Sequence, residues 1–533
     1  MIKEGFKTEG VEATGIEYSA NRAARAAAIV MLGTLVSKVL GFFRELLIGM
    51  KFGATHVSDA YYVSLTVPAV VFATVAGALS TTFIPVYSDI ETRNGERKAA
   101  EFAANLFNVV LVISAVVSLL GAIFARPLVK LVAMGFTGET LALAASLTRI
   151  TMFICVFVGL SNILTGFLQS RREFATPALI GIPYNFIIIG ALLASSIVGV
   201  RGLVVASVAA AFAQAAVQLP AAVKKGFRLL LKLDFTDGDL IHMGVLVIPV
   251  VVGTGVGQLN TLVDRILASG LAEGSIAALN FASRLNAFAF GLFSVSVATV
   301  VYPALSKLSA KQDMEGFKNA LGRAVGFVAA VIMPMTVGAV VLRVPIVRFL
   351  FERGAFDERA TFMTATALMY YSVGMVGFGL RDVLSRGFYS LQDTKTPMIN
   401  GALAMAVNII LNLILVRFMG MGGLALATSI SAIVGTLLLF YSLRKKIGNI
   451  GGRRILTGFI KSAAACAVMG VSVYFIYSYM SSIFVPQDML FQALDLGTAI
   501  LAGATVYVLV GFLLKMDELS WAVRVLRNLQ RHK

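Results

Sequence analysis

Long apolar stretches recur along this chain, separated by short polar or Gly/Pro-rich breaks, and no other feature restricts its fold as strongly. About 20 apolar residues make a helix that crosses a bilayer, and a helix satisfies its own backbone N–H and C=O groups in hydrocarbon. The runs over 28–50, 58–86, 101–125, 140–168, 176–198, 202–223, 240–268, 275–305, 324–342, 361–385, 397–416, 422–443, 456–480 and 489–514 predict an all-α polytopic membrane protein of about fourteen transmembrane helices. Composition agrees. The 533 residues are 58% hydrophobic and 14% charged, with a mean hydropathy of +0.86, whereas soluble domains carry roughly 45–50% apolar and about 25% charged residues. Soluble enzymes and disordered chains are thereby excluded. Cys155 and Cys466 both lie in apolar runs, which leaves no disulfide framework or thiolate metal motif. The polar amino-terminal stretch lacks the apolar region of a signal peptide.

Lys and Arg outnumber Asp and Glu by 45 to 28, a formal charge of +17. Thirty of the basic residues fall at run ends on one side, nine on the other and six inside the runs. Basic loops stay cytoplasmic, so both termini are expected in the cytosol. The positive charge then answers anionic lipid at the inner leaflet rather than nucleic acid. The tail 516–533, with Trp521 and its arginines, reads as a basic amphipathic interfacial helix.

The chain is internally duplicated. Phe83-Ile-Pro-Val-Tyr-Ser-Asp-Ile recurs as Val301-Tyr-Pro-Ala-Leu-Ser-Lys-Leu, and Gly166-Phe-Leu-Gln-Ser-Arg-Arg-Glu-Phe-Ala-Thr-Pro177 is echoed by Gly387-Phe-Tyr-Ser-Leu-Gln-Asp-Thr-Lys-Thr-Pro397. Arg201-Gly-Leu-Val-Val-Ala-Ser207 returns as Gly422-Gly-Leu-Ala-Leu-Ala-Thr428. An even number of helices per copy makes the repeats parallel, a transporter signature with the substrate site expected between the halves near the midplane. The expected organisation is a cytoplasmic segment 1–27, two pseudo-symmetric six-helix lobes at 28–225 and 226–447, two extra helices at 448–515, and the tail 516–533.

Lys38, Arg44, Glu45, Arg149, Asp264, Arg265, Arg284, Arg381 and Asp382 sit inside the runs, and Asp59 lies near the outer end of the second. Each charge at a helix centre costs about 2.5–3.5 kcal/mol on insertion scales, so these need a wet or paired interior. Sequence neighbours of opposite sign, Arg44 with Glu45, Asp264 with Arg265, Arg381 with Asp382, offer internal ion pairing, although adjacent helical residues point about 100° apart. Lys38, Arg149 and Arg284 have no adjacent acid. A cavity lined by Lys38, Arg44 and Arg284 would hold a phosphate or pyrophosphate, with scaffolding charges as the alternative. A second constellation is neutral but for one acid: Asn408 and Asn412 share a helix face, Thr428 is in the next helix and Asp264 in the seventh. Their oxygens suit sodium; interhelical hydrogen bonding is the plainer reading.

Catalytic motifs are scarce. The chain has no G-x-x-x-x-G-K-[ST] for ATP, and His56, His242 and His532 are scattered without metal-ligand spacing. No catalytic residues are assigned, and no enzymatic activity is expected.

Ser37-Lys-Val-Leu-Gly-Phe-Phe-Arg-Glu-Leu-Leu-Ile-Gly-Met-Lys-Phe-Gly-Ala54, followed by Ser58-Asp-Ala-Tyr-Tyr-Val-Ser-Leu-Thr-Val-Pro68, resembles the opening signature of the MurJ (MviN) lipid II flippases, and Gly387 to Pro397 resembles a second motif of that family. The resemblance runs through essentially all fourteen helices. It implies the multidrug/oligosaccharidyl-lipid/polysaccharide exporter superfamily, two lobes in a V, alternating access, a cationic cavity and a groove from the last two helices for a polyprenyl tail. It also implies a bacterial cytoplasmic membrane location, a lipid-linked peptidoglycan precursor as substrate, a monomer, and contact with membrane lipids and cell-wall synthesis proteins. Carried over by position, substrate-binding residues fall on Lys38, Arg44, Glu45, Asp59 and Arg284. A sodium site known in some relatives falls on Asp264, Asn408, Asn412 and Thr428, with Leu424 supplying a backbone oxygen; no other cofactor is implied. Two stretches depart from the family pattern: Val70-Val-Phe-Ala-Thr-Val-Ala-Gly77 lacks the usual paired arginines, and Ala287 replaces an acid.

Overall fold

The computed structural model describes residues 6–483 and 489–518, with the helical side chains of 6–27, 73, 252, 256, 292–300 and 483 outside the description. Residues 519–533 of the expected amphipathic tail lie outside the described residues. Every element among the described residues is helical, as the backbone demands of a chain with this much apolar sequence.

In chain order the first copy contributes α1 (Phe6–Phe52), α2 (His56–Pro68), a π-helical turn (Ala69–Ala73), α3 (Thr74–Ile123), α4 (Ala125–Val132), α5 (Gly138–Thr151), α6 (Ile154–Ser170), α7 (Ala175–Leu179), α8 (Gly181–Leu193) and α9 (Ser195–Lys224). The second contributes α10 (Gly238–Ser269), α11 (Ser275–Ala310), α12 (Met314–Val341), α13 (Arg343–Phe351), α14 (Glu358–Val373), α15 (Met375–Ser390), α16 (Lys395–Met419) and α17 (Met421–Ile447), followed by α18 (Gly452–Ile483) and α19 (Met489–Leu513). All fourteen apolar runs lie on these helices. Among the described residues ten helical stretches are long and apolar enough to cross a membrane, or eleven counting the α14–α15 pair bent by 41°. Helices α1 and α11, which carry Lys38, Arg44, Glu45 and Arg284, run partly over residues whose side chains lie outside the description, and α2 is only 13 residues long.

Two compact units result. Unit 1 comprises Met1–Ile48, Ala60–Val132 and Phe136–Leu262; unit 2 comprises Gly49–Asp59, Ala133–Gly135 and Val263–Lys533. In unit 1, α3 packs along α6, and α9 receives α6 and α8. In unit 2, α16 packs on α17, α11 on α14 and α15, and α12 joins α15 to α18, which carries α19. Phe317, Leu321, Val325, Leu384, Phe388 and Leu443 fill the core beneath α12 and α15.

The duplication is visible in backbone torsions. Gly199 and Gly420, 221 residues apart, adopt φ of 59° and 55°, and Arg172 and Gln392 adopt 58° and 57° at the turns after α6 and α15. In those turns Glu173 and Asp393 accept from the backbone N–H of Thr176 and Thr396. Lys446 and Thr396 together pull the Asp393 carboxyl down to about 2.

Prolines inside helices leave carbonyls without a helical donor, and two of these are answered by neighbouring hydroxyls. Pro68 frees Ser64 O, which accepts from Thr151 Oγ1 at 2.6 Å, just before the π-helical turn. Pro334 frees Ala330 O, which accepts from Tyr507 Oη at 2.7 Å and ties α19 to α12. Tyr507→Phe is expected to cost about 1 kcal/mol of stability by orphaning that carbonyl. Thermal unfolding of the solubilised protein checks this; an unchanged Tm would mean the carbonyl finds another donor.

Candidate functional site

A buried polar arrangement in unit 1 surrounds the charges of α1. Arg44 Nη2 donates to Glu45 Oε1 at 2.8 Å, and Arg44 Nη1 donates to Asn185 Oδ1 of α8 at 3.0 Å. Tyr62 Oη of α2 donates to Glu45 Oε2 at 2.8 Å, and the Arg44 guanidinium lies over the Tyr184 ring. Glu45 is 3% exposed, so its charge is held by the pair and by Tyr62 rather than by water. The adjacent-charge reading thus holds for Arg44 and Glu45. Elsewhere Asp382 pairs with Arg386 one turn on, Arg381 lies over the Phe378 ring, and Arg265 Nη1 reaches the carbonyl of Ile276 at 3.4 Å. Asn185 and Tyr62 were not singled out from the sequence. The available signal was an asparagine inside the apolar run of α8, which is costly unless bonded.

Lys38 in α1, Arg149 in α5 and Arg284 in α11 are exposed on their units, and among the described residues no acid pairs with them. A cation exposed at mid-span faces either lipid or water, and only water is cheap. Lys38 and Arg44 belong to unit 1, Arg284 to unit 2.

Asp59 is 4% exposed and belongs to unit 2. Its Oδ2 accepts from Gly274 N and its Oδ1 from Ala277 N, both at 2.7 Å, so both oxygens cap the start of α11. A carboxylate there meets the unsatisfied N–H groups and the positive end of the helix dipole. Beside it, the backbone N–H of His56 donates to Glu273 Oε1 at 2.9 Å, the His56 ring stands 3.0 Å from the same oxygen, and these contacts hold the Glu273 carboxyl below its ordinary range. Gly274 has φ of 85°, and an added Cβ would collide with Ala54 O, so glycine is required at this close approach.

The polar cluster expected around Asp264 is assembled in unit 2. Asn412 Nδ2 donates to Asp264 Oδ1 at 2.6 Å and to Asn408 Oδ1 at 2.9 Å. Asn408 Nδ2 reaches Thr428 Oγ1 at 3.4 Å, and Thr428 Oγ1 donates to Leu424 O at 3.0 Å. Asn412 Oδ1 is buried without a hydrogen-bond partner. Turning that amide over would aim its oxygen into a set of one carboxylate, amide oxygens, a hydroxyl and a carbonyl. Hard oxygen donors with a single negative charge fit a hard monovalent cation. Among the described residues no group of three His, Cys, Asp or Glu could hold a metal ion.

A duplicated bundle of membrane-length helices, with intramembrane charges and a buried oxygen cluster, defines a polytopic transporter. The fold alone is shared with an inward-facing multidrug resistance MATE family transporter of the MOP superfamily, at TM-score 0.65 and 14% identity over 80% of this chain and 98% of that one. The chain belongs to the lipid II flippase MurJ family, whose sequence profile matches residues 48–494. A probable lipid II flippase MurJ of Vibrio cholerae is 31% identical, the match covering 78% of this chain and 82% of that protein. The lipid II flippase MurJ of Burkholderia cenocepacia is 32% identical over the same shares. A solved lipid II flippase MurJ in an inward closed conformation superposes with TM-score 0.76 at 28% identity, covering 92% of this chain and 99% of that one. The stretch Val70–Gly77 begins within the π-helical turn at Ala69–Ala73.

Proposed function

We propose that this protein is a lipid II flippase, moving undecaprenyl-pyrophosphate-linked peptidoglycan precursor from the inner to the outer leaflet of the bacterial cytoplasmic membrane by alternating access. Family membership over residues 48–494 carries this reading. The chemistry required is a shelter for a charged, sugar-bearing headgroup while its tail remains in lipid. Lys38, Arg44 and Arg284 are the cations we assign to the pyrophosphate, each on its own setting: mid-span, basic, and for Lys38 and Arg284 exposed. Glu45 orients Arg44, and Asp59 acts as the cap of α11 rather than as a direct headgroup contact. The lobes are 28–225 and 226–447, with 448–515 as the tail-binding addition, both termini cytoplasmic, and the protein working as a monomer in contact with cell-wall synthesis proteins. The reading makes it a transporter and not an enzyme. Depletion of the protein in cells should reduce outer-leaflet lipid II. Undiminished lipid II translocation with accumulation of another polyprenyl-linked glycan would replace this substrate with that one.

Sodium is the ion proposed for Asp264, Asn408, Asn412, Thr428 and the Leu424 carbonyl, where it would neutralise the carboxylate and tie α10 to α16 and α17. The membrane potential supplies the rest of the drive, each charge moved through 100 mV being worth about 2.3 kcal/mol. In vesicles with an imposed potential, a sodium gradient is expected to speed wild-type transport and to leave Asp264→Asn unchanged. Equal responses would return the cluster to interhelical hydrogen bonding.

A further inference from the structure

The duplicated register sets two buried clusters in corresponding places, each within its own unit. Gly53 and Gly274, both with positive φ, are 221 residues apart, and the same offset takes Arg44 to Arg265, Phe43 to Asp264 and Ser207 to Thr428. Asn185 falls within one turn of the register of Asn408. In unit 2 the hydrogen-bonded cluster is built from oxygens and amides around one carboxylate, and the corresponding Arg265 reaches the carbonyl of Ile276 instead. In unit 1 it holds a cation of the chain's own, the Arg44 guanidinium. We propose that the unit 1 cluster is a guanidinium socket, in which Glu45 Oε1 and Asn185 Oδ1 fix the Arg44 head and Asn185 is its positioning residue.

The hydrogen bonds settle which way Asn185 faces. Its Nδ2 donates to Gly181 O at 2.8 Å and to Ser37 O at 3.2 Å, both carbonyls that can only accept. Its Oδ1 therefore meets the guanidinium, which can only donate. Asn185 is 4% exposed, and helices α1 and α8 come close enough for it to bridge because residue 181 is glycine: a Cβ there would strike Ser37 Oγ. Glu45 engages one terminal nitrogen and Asn185 the other, so the plane of the guanidinium cannot rotate about its stem. Tyr62 holds the far oxygen of Glu45 in turn. Two of the five N–H groups are engaged by these bonds, and the other three stay oriented for an incoming anion. A lysine ammonium at 44 would be a point charge unable to span both oxygens.

Two measurements test the socket, and only the first rests on the flippase reading. In a lipid II transport assay, Arg44→Lys and Asn185→Ala should each lower the rate about tenfold, and the double variant should be no slower than Arg44→Lys, because Asn185 acts through Arg44. Multiplied losses would mean Asn185 serves packing alone and would overturn the assignment. Independently of substrate, thermal unfolding of purified Arg44→Ala protein is followed with guanidinium or methylammonium chloride at equal, sub-denaturing concentration. Guanidinium should raise Tm relative to its effect on wild type, methylammonium should not, and Asn185→Ala in the same background should remove the gain. Should Asn185→Ala fail to reach the membrane, Asn185→Leu, of similar volume, takes its place. Indistinguishable responses to the two cations would overturn the socket even if transport of lipid II is confirmed. A wild type that moves no lipid II, together with a guanidinium response in Arg44→Ala, would overturn the flippase reading and leave the socket standing.

Discussion

Arg284→Ala is expected to abolish complementation of flippase-depleted bacteria while the protein remains at normal abundance in the membrane. Arg284 is exposed on α11, and among the described residues no acid pairs with it, so its removal orphans no buried partner. What is lost is a cation for the pyrophosphate. A hydrogen bond to a charged group is worth about 1.5–3 kcal/mol, and each 1.4 kcal/mol is about tenfold, which gives a loss of roughly 10- to 150-fold for one contact and more for a bidentate one. Arg284→Lys keeps the charge but not the fork, and should retain partial growth. Immunoblots of membrane fractions beside growth curves check the prediction. Full complementation by Arg284→Ala would remove this residue from headgroup recognition.

Asp59→Ala is expected to be as damaging by a different route. Its carboxylate takes both the Gly274 and Ala277 N–H groups in a buried setting at the start of a 36-residue helix. Removing it leaves those donors without acceptor or water and strips the counter-charge from the dipole, a cost of about 3–6 kcal/mol for two charge-assisted bonds. Asp59→Asn keeps one acceptor oxygen and should lose roughly half as much. Because the α1–α2 tip, Gly49–Asp59, packs within unit 2, the alanine variant loosens that tip against α11. Hydrogen exchange at Gly274 and Ala277 should accelerate by orders of magnitude in Asp59→Ala and modestly in Asp59→Asn. Unchanged exchange in Asp59→Ala would show that the cap is redundant.

Much of the architecture was written in the sequence. Apolar length specifies a membrane helix directly, since the bilayer thickness sets a residue count and the backbone has no other way to satisfy itself there. The repeated motifs fixed the duplication, and the paired torsions at Arg172 and Gln392, or Gly199 and Gly420, follow from them. The Asp264 cluster was legible for a related reason: Asn408 and Asn412 share a face by helical periodicity, and the duplicated order of helices places Thr428 beside them. Tertiary packing decided the rest. That Asn185 seats Arg44, that Asp59 caps a helix more than 200 residues away, and that Thr151 and Tyr507 answer proline-freed carbonyls cannot be deduced from spacing, because each joins helices whose rotation about their own axes is set only when they pack. A helix's hydropathy says that it lies in the membrane. Which of its polar groups meets which neighbour is settled only by the complete set of interhelical contacts, since any buried donor left without an acceptor in hydrocarbon is too costly to keep.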